Sequence, residues 1–300
     1  MDDSQPPKSD EQLSDQKPQS VFGVIVHSFF VIPFLLAVFS VLLLTAVRIL
    51  TMEKRTVYDY LEDVKVGGLT KRWQSAFELS KILANPDLIP RDQRFSHALV
   101  IAFAKSKDDD PRVRQYLSLA MARTGNPEFV PVLLKSLDKE KNENLHAIIY
   151  ALGILKDKRA VDVLLNYLEA DNPHIRLATT IALGNIGDPK TMGAIRNCLN
   201  DPEPNVQWDA AIALAKMHDV SGKEILLNLL DRNYLSRFSA LDSQEQTHIM
   251  VVTIETTAPL NIPEINAQLQ KLFRTDKNMK VRRVAFEALR LNQVPLIHQN

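Results

Sequence analysis

The amino-acid sequence repeats itself at an interval of 31 residues. ALGILKDKRAVDVL begins at Ala151, and ALGNIGDPKTMGAI begins at Ala182. Ala120 and Ala213 stand in register with these, as do Met121, Leu152, Leu183 and Leu214, and one small residue follows in every copy: Ala122, Gly153, Gly184 and Ala215. Within each copy apolar residues recur at the i, i+3, i+4, i+7 spacing of one helical face, for example Ile175, Thr179, Ala182, Leu183 and Ile186. A repeat of this length is one helical unit that cannot enclose its own apolar face. Neighbouring copies must cover it, so the pattern predicts an all-α solenoid.

The punctuation of each copy is legible. Asp110-Pro111 and Asn172-Pro173 place a side-chain acceptor at the N-cap and proline at the first helical position, where a missing N–H costs nothing. Gly125 and Gly187 suit a left-handed C′ position. A second helix then opens on Asn126, Asp157, Asp188 and Asp219. It ends on Leu133/Leu137, Leu164/Leu168, Ile195/Leu199 and Leu226/Leu230. The small residue at 122, 153, 184 and 215 is expected to let the two helices of a pair approach closely. Degenerate copies flank the regular ones: Trp73, Ala76 and Leu79 match Trp208, Ala211 and Leu214, with 94–106 as the partner helix, and residues 280–290 match the start of the 173–186 helix. The expectation is about six helix pairs plus a final capping helix over residues 70–300, preceded by one transmembrane helix.

That membrane helix is read from Val21 to Val47, 27 residues without a charge. About 20 apolar residues span the hydrocarbon core. A secretory signal peptide, the rival reading, has an apolar region of ~7–15 residues behind a basic stretch. Here the run is about twice that and the preceding residues are net acidic, which favours a retained helix, with a kink expected at Pro33. Basic residues near the ends set orientation. Lys8 and Lys17 precede the helix among five acids, whereas Arg48, Lys54, Arg55, Lys65, Lys71 and Arg72 follow it. The expectation is a single-pass membrane protein, N-terminus outside and solenoid in the cytoplasm. Residues 1–20 are polar and acidic and are expected to be disordered. Residues 51–69 form a juxtamembrane linker in which Tyr58, Leu61 and Val64 share one face of a short helix ending at Gly67-Gly68. That helix either lies on the membrane or docks on the first repeat.

Formal net charge is zero, and residues 51–300 hold 33 basic and 31 acidic side chains. No basic stripe is visible, so no nucleic-acid partner is expected. One cysteine, Cys198, excludes an internal disulfide and a multi-cysteine metal site; it reads as a small buried hydrophobe. No HExxH, P-loop or GxSxG sequence is present, and His97, His146, His174, His218, His248 and His298 lie without a second ligand at metal-binding spacing. No catalytic residue, metal or cofactor is assigned.

The unit D-x-P-x-(V/I)-R-x-x-A-x-x-A-L-G-x-I-G-D, followed by a second amphipathic helix, resembles the short HEAT-like repeat of phycobilisome bilin lyases and deoxyhypusine hydroxylase. Residues 171–199 carry it best; 108–137, 138–168 and 201–230 match more loosely, and the likeness spans roughly 70–290. The resemblance implies the solenoid fold and leaves function open. Deoxyhypusine hydroxylase holds a di-iron centre with His-Glu pairs, and this chain has no His-Glu dipeptide. A lyase- or hydroxylase-like enzyme therefore stands as the alternative to an interaction scaffold, which is the reading favoured: a platform for protein partners within a membrane complex.

Two candidate docking surfaces follow. Lys135, Asn166, Asn197 and Asn228 occupy one position per repeat near the end of the second helices. The three asparagines either grip a partner or form a line of hydrogen bonds between repeats. The second candidate is the break in the period: Ala213 and Ala288 are 75 residues apart, 13 more than two repeats. Segment 231–262 carries Tyr234, Phe238, Ile249, Met250, Val251 and Val252. It is either a projecting insertion with Tyr234 and Phe238 as anchors, or a degenerate fifth repeat with a lengthened first helix over 244–257.

Overall fold

The computed structural model describes residues 27–51, 55–140 and 142–294, and the chain divides into two compact units, Met1–Arg55 and Thr56–Asn300. The expectations for the 1–20 tail and for the first residues of the apolar run lie outside the described residues. In the first unit a π-helical turn, His27–Val31, leads into helix α1, Ile32–Thr51. The stretch Phe29–Arg48 has a mean hydropathy of 2.7 and none of it is buried, so among the described residues one helix is long and apolar enough to cross a membrane. Pro33 sits in the first turn of α1, directly after the π turn.

Among its described residues the only regular secondary structure of the second unit is helical. Helix α2, Val57–Val66, is followed by six helix pairs and a last single helix. The pairs are α3 (Leu69–Ile82) with α4 (Gln93–Lys105), α5 (Pro111–Arg123) with α6 (Phe129–Ser136), and α7 (Asn142–Leu155) with α8 (Val161–Leu165). Next come α9 (Pro173–Ile186) with α10 (Met192–Asn197), and α11 (Pro204–Lys216) with α12 (Lys223–Leu229). After a short helix α13 (Arg232–Leu235), α14 (Ser243–Thr257) pairs with α15 (Pro263–Thr275), and α16 (Met279–Leu291) closes the series. First helices pack on first helices in chain order: α3 on α5, then α7, α9, α11, α14 and α16. The fold is an all-α solenoid.

Several boundaries have a local cause. Asp110, Asn172, Asp188 and Asp157 accept hydrogen bonds from the backbone N–H two residues on, at 2.9–3.1 Å, as do Asn126 at 3.0 Å and Asp219 at 2.8 Å. The left-handed position after the first helix recurs in all four copies. Gly125 (φ 66°) and Gly187 (φ 68°) hold it twice, and Lys156 (φ 53°) and His218 (φ 61°) hold it in the copies without glycine. The second helices α6, α8, α10 and α12 are short, and α8 and α10 begin in 3-10 turns, Lys158–Ala160 and Pro189–Thr191.

The small residues act in another place than the sequence suggests. A Cβ on Gly153 would lie 2.6 Å from Cα of Ala182, and one on Gly184 would lie 2.4 Å from Cβ of Ala213. Ala182 and Ala213 belong to the first helices of the following repeats. Close approach therefore occurs between successive repeats, because the repeated stacking face runs first helix to first helix.

Two apolar cores result. One runs from Val57 to Leu214 and the other from Trp208 to Leu289. Helix α11 serves both, giving Val206, Ala210 and Ala213 to the first and Trp208, Ala211 and Ala215 to the second. Helix α2 lies within the compact unit: Val57, Leu61 and Val64 are buried against α3 and α4, and Thr56 caps its start in a reciprocal box with Asp59. Of the two fates open to the 51–69 linker, residues 57–66 take the dock on the first repeat. The compact unit begins at Thr56.

Candidate partner-binding surface

The second helices place their asparagines by simple geometry. Leu164, Ile195 and Leu226 point inward and are fully buried. A residue two positions further is rotated by roughly 200° about the helix axis. Asn166, Asn197 and Asn228 accordingly face outward and are exposed, as is Lys135 in the earlier copy. Their side chains make no hydrogen bond to the described residues. The line of inter-repeat hydrogen bonds weighed for the asparagines is therefore not formed, and three amide side chains, each with two donors and an acceptor, remain open to solvent at a spacing of one per repeat.

The aromatic pair at the period break lies against the stack. Tyr234, on α13, and Phe238 are half-buried on the second core. Both meet Trp208 edge to face, at ring separations of 6.3 and 4.7 Å, and each other at 5.4 Å. The Trp208 indole N–H donates to the Tyr234 hydroxyl at 3.2 Å. Met250, Val251 and Ile254 of α14 are buried, and α14 packs on α11, α12 and α16. Segment 231–262 thus occupies the place of a first helix with a lengthened lead-in, its extra residues forming α13 and the turn to Ser243.

The arginines that recur at helix starts bind carboxylates of the adjoining turns. Arg176 meets Asp201 through two hydrogen bonds, 2.8 and 2.9 Å, with both side chains largely buried. Arg114 meets Glu140, Arg232 meets Asp276 at 2.6 Å, and Arg72 meets Asp109. Arg72, Arg114 and Arg176 sit on first helices with their acids just before the next first helix, so these pairs clasp consecutive repeats, whereas Arg232 sits on α13 and its acid just before α16. Hydrogen bonding to Arg176 holds the Asp201 carboxyl below the usual carboxylate range. Cys198 is buried, and burial pushes its thiol up.

The structure also joins residues that spacing in the chain keeps apart. His146 of α7 and His174 of α9 line one cavity of about 350 Å³ with Glu143, Gln115 and Asn172. Burial, and then the charge of His174, push the His146 imidazole down. Among the described residues no three His, Cys, Asp or Glu side chains are grouped to hold a metal ion. The His146–His174 approach was invisible in the sequence because it depends on the register between neighbouring first helices.

Comparison with known proteins places these observations. The family of HEAT repeats matches twice, over residues 98–183 and 161–244. No curated protein matches the chain in sequence. Among solved structures, the complex of CpcE and CpcF of phycocyanin lyase from Nostoc sp. PCC7120 superposes with a TM-score of 0.55 at 18% identity, covering 82% of this chain and 97% of that one. Human deoxyhypusine hydroxylase in complex with glycerol gives a TM-score of 0.34 at 17% identity, covering 79% and 84%. Computationally designed armadillo repeat proteins for modular peptide recognition give 0.37 at 15%, covering 77% and 98%. At these identities the likeness is one of fold. The chain carries HEAT-like repeats, stacked as an all-helical solenoid.

Proposed function

We propose that this protein is a membrane-anchored scaffold whose solenoid docks a protein partner on the exposed face of its second helices, within a membrane complex. The observation that carries the reading is the row of Asn166, Asn197 and Asn228, exposed and without side-chain partners among the described residues, repeated at the period of the stack. Amides in a row at a fixed spacing suit the backbone of an extended segment, and repeat stacks offer extended binding surfaces. Support also comes from the CpcE–CpcF structure, which is itself a complex of two chains. The wholly exposed apolar helix supplies the anchor, and the excess of basic residues after it supports a cytoplasmic solenoid.

The test is affinity purification of the full chain from native membranes. Replacing Asn166, Asn197 and Asn228 together by Ala is expected to remove the co-purified protein while Tm stays within a few degrees, since exposed substitutions cost ~0.5 kcal/mol or less. A wild-type chain that captures nothing above an unrelated membrane protein rejects the scaffold reading. Topology is read separately by labelling Asp10→Cys and Asn300→Cys in a Cys198→Ser background: the first reacts from outside intact cells and the second does not. The reverse pattern rejects the cytoplasmic solenoid.

A further inference from the structure

The asparagine row is neutral, but the position that begins it is not. Lys135 takes the place of Asn166, Asn197 and Asn228 in the preceding repeat, and it stands at the edge of a groove of about 410 Å³ between α4 and α6. That volume falls in the range of ligand clefts, ~300–1,000 Å³. Phe103, Ala104 and Val132 supply its apolar lining, and Lys107, Lys135 and Lys139 surround them. All three lysines are exposed and none has an ion-pair partner among the described residues. The remaining charges of the wall cancel: Arg114 and Glu140 are paired at 2.5 Å with side chains 6% and 5% exposed, and Arg114 also donates to the Phe103 carbonyl at 2.6 Å and lies over its ring. The groove therefore presents three ammonium groups without an ion-pair partner among the described residues around the apolar atoms of Phe103, Ala104 and Val132, in a domain whose total charge is close to zero.

We propose that this groove receives an acidic segment of the protein partner, with one or two apolar side chains entering between α4 and α6 and flanking carboxylates meeting Lys107, Lys135 and Lys139. The proposal rests on the scaffold reading and names the chemistry of the partner. A bilayer surface fits the site poorly, because its flat face reaches the exposed Ala104 but not the buried Phe103 or the half-buried Val132. Nucleic acid fits poorly as well: the charge stops at Lys135, and the next positions of the row are asparagines. A peptide satisfies both halves of the site. Its extended backbone continues from the groove along the asparagine row, which gives the three lysines and the three amides one occupant.

The experiment uses the full chain in non-ionic detergent micelles and fluorescence anisotropy of a labelled twelve-residue synthetic peptide with a central Leu-Phe pair among Asp and Glu. Comparison peptides replace the acids by Lys, or the Leu-Phe pair by Ser. Binding of the acidic apolar peptide alone is expected, weakening as salt screens the exposed charges. The combined Lys107→Glu, Lys135→Glu, Lys139→Glu variant is expected to bind at least tenfold more weakly. A charge-matched variant of three exposed lysines elsewhere, Lys271→Glu, Lys277→Glu, Lys280→Glu, keeps wild-type affinity. Ala104→Phe, which fills the groove without altering charge, weakens binding too and guards against a fold defect in the triple variant. Equal affinity for the Ser-substituted peptide, unchanged affinity in the triple variant, or binding of phosphatidylserine vesicles that the Lys variant abolishes while the peptide fails to bind, each overturns the proposal. Failure here with a partner still captured from membranes overturns the groove assignment alone, whereas an empty capture overturns the scaffold reading beneath it.

Discussion

Gly153 and Ala182 face each other across successive repeats so closely that a Cβ on Gly153 would sit 2.6 Å from the Ala182 Cα and 2.8 Å from its Cβ. These distances involve a backbone atom and a rigid methyl, neither of which can move aside cheaply. The α7–α9 contact is thus set by the absence of one side chain, and the same relation recurs between Gly184 and Ala213.

Gly153→Ala is expected to destabilise the protein by about 1–3 kcal/mol, the usual cost of overpacking a core, read as a lower urea midpoint. Gly193→Ala is the control: nothing lies within 4 Å of a Cβ there, and its place in α10 makes alanine favourable by up to ~1 kcal/mol. Equal losses at the two sites would show that helix stacking is looser than the geometry requires.

Lys156 and His218 occupy the left-handed position that Gly125 and Gly187 hold in the other copies. A residue with a Cβ is strained there by roughly 1–2 kcal/mol, offset in part by the greater freedom of glycine in the unfolded chain. Lys156→Gly and His218→Gly should each raise stability by up to about 1 kcal/mol, and Gly187→Ala should lower it. Thermal melts of the three variants check the sign.

Burial pushes the Asp209 carboxyl up to about 6, against the opposing charge of Lys216. Its folded value thus exceeds the unfolded value near 3.9, so folding takes up a proton between the two. Stability from this group is present at low pH and is lost as pH rises from about 4 to 6. Asp209→Asn should remove that loss. The variant is expected to be 1–2 kcal/mol more stable than the parent at pH 7.5, less than the ~3 kcal/mol that two pKa units represent in full burial, and level with it at pH 4. Asp201 and Asp276, held down by Arg176 and with the help of Arg232, act in the opposite sense. Their contribution is lost in both proteins as pH falls below about 4, so the difference between parent and variant isolates Asp209.

Tyr234 and Phe238 form a three-ring cluster with Trp208. Aromatic pairs contribute about 0.5–1.5 kcal/mol beyond area burial. Phe238→Ala and Tyr234→Ala should each lower stability by 1 kcal/mol or more, visible as a lower Tm and altered Trp fluorescence. If Tm holds while co-purification of the partner is lost, the pair belongs to the docking surface and the asparagine row loses its priority.

Much of this architecture was legible in advance because it is written in local terms. Caps at Asn126, Asp157, Asp188 and Asp219, turns at Gly125 and Gly187, and the buried faces led by Ala120, Ala151, Ala182 and Ala213 all depend on residues within one or two turns of each other. The left-handed Lys156 and His218 were missed for the same reason: their conformation is imposed by the repeat, against their own preference. Asn166, Asn197 and Asn228 could be placed on one row by period alone, while their exposure, and the lack of side-chain partners among the described residues, required the stacked helices.

The sequence by itself determined the period, the helix ends, the apolar stretch after residue 20 and the HEAT-like form of the repeat, since each follows from short-range periodicity and backbone preference. Tertiary structure decided how the copies meet. Stacking first helix on first helix put Gly153 against Ala182 and clasped Arg176 to Asp201. It turned Tyr234 and Phe238 onto Trp208, and gathered Lys107, Lys135 and Lys139 around Phe103 and Val132. A neutral composition conceals such a cluster, because charge is summed along the chain whereas a partner meets it in space.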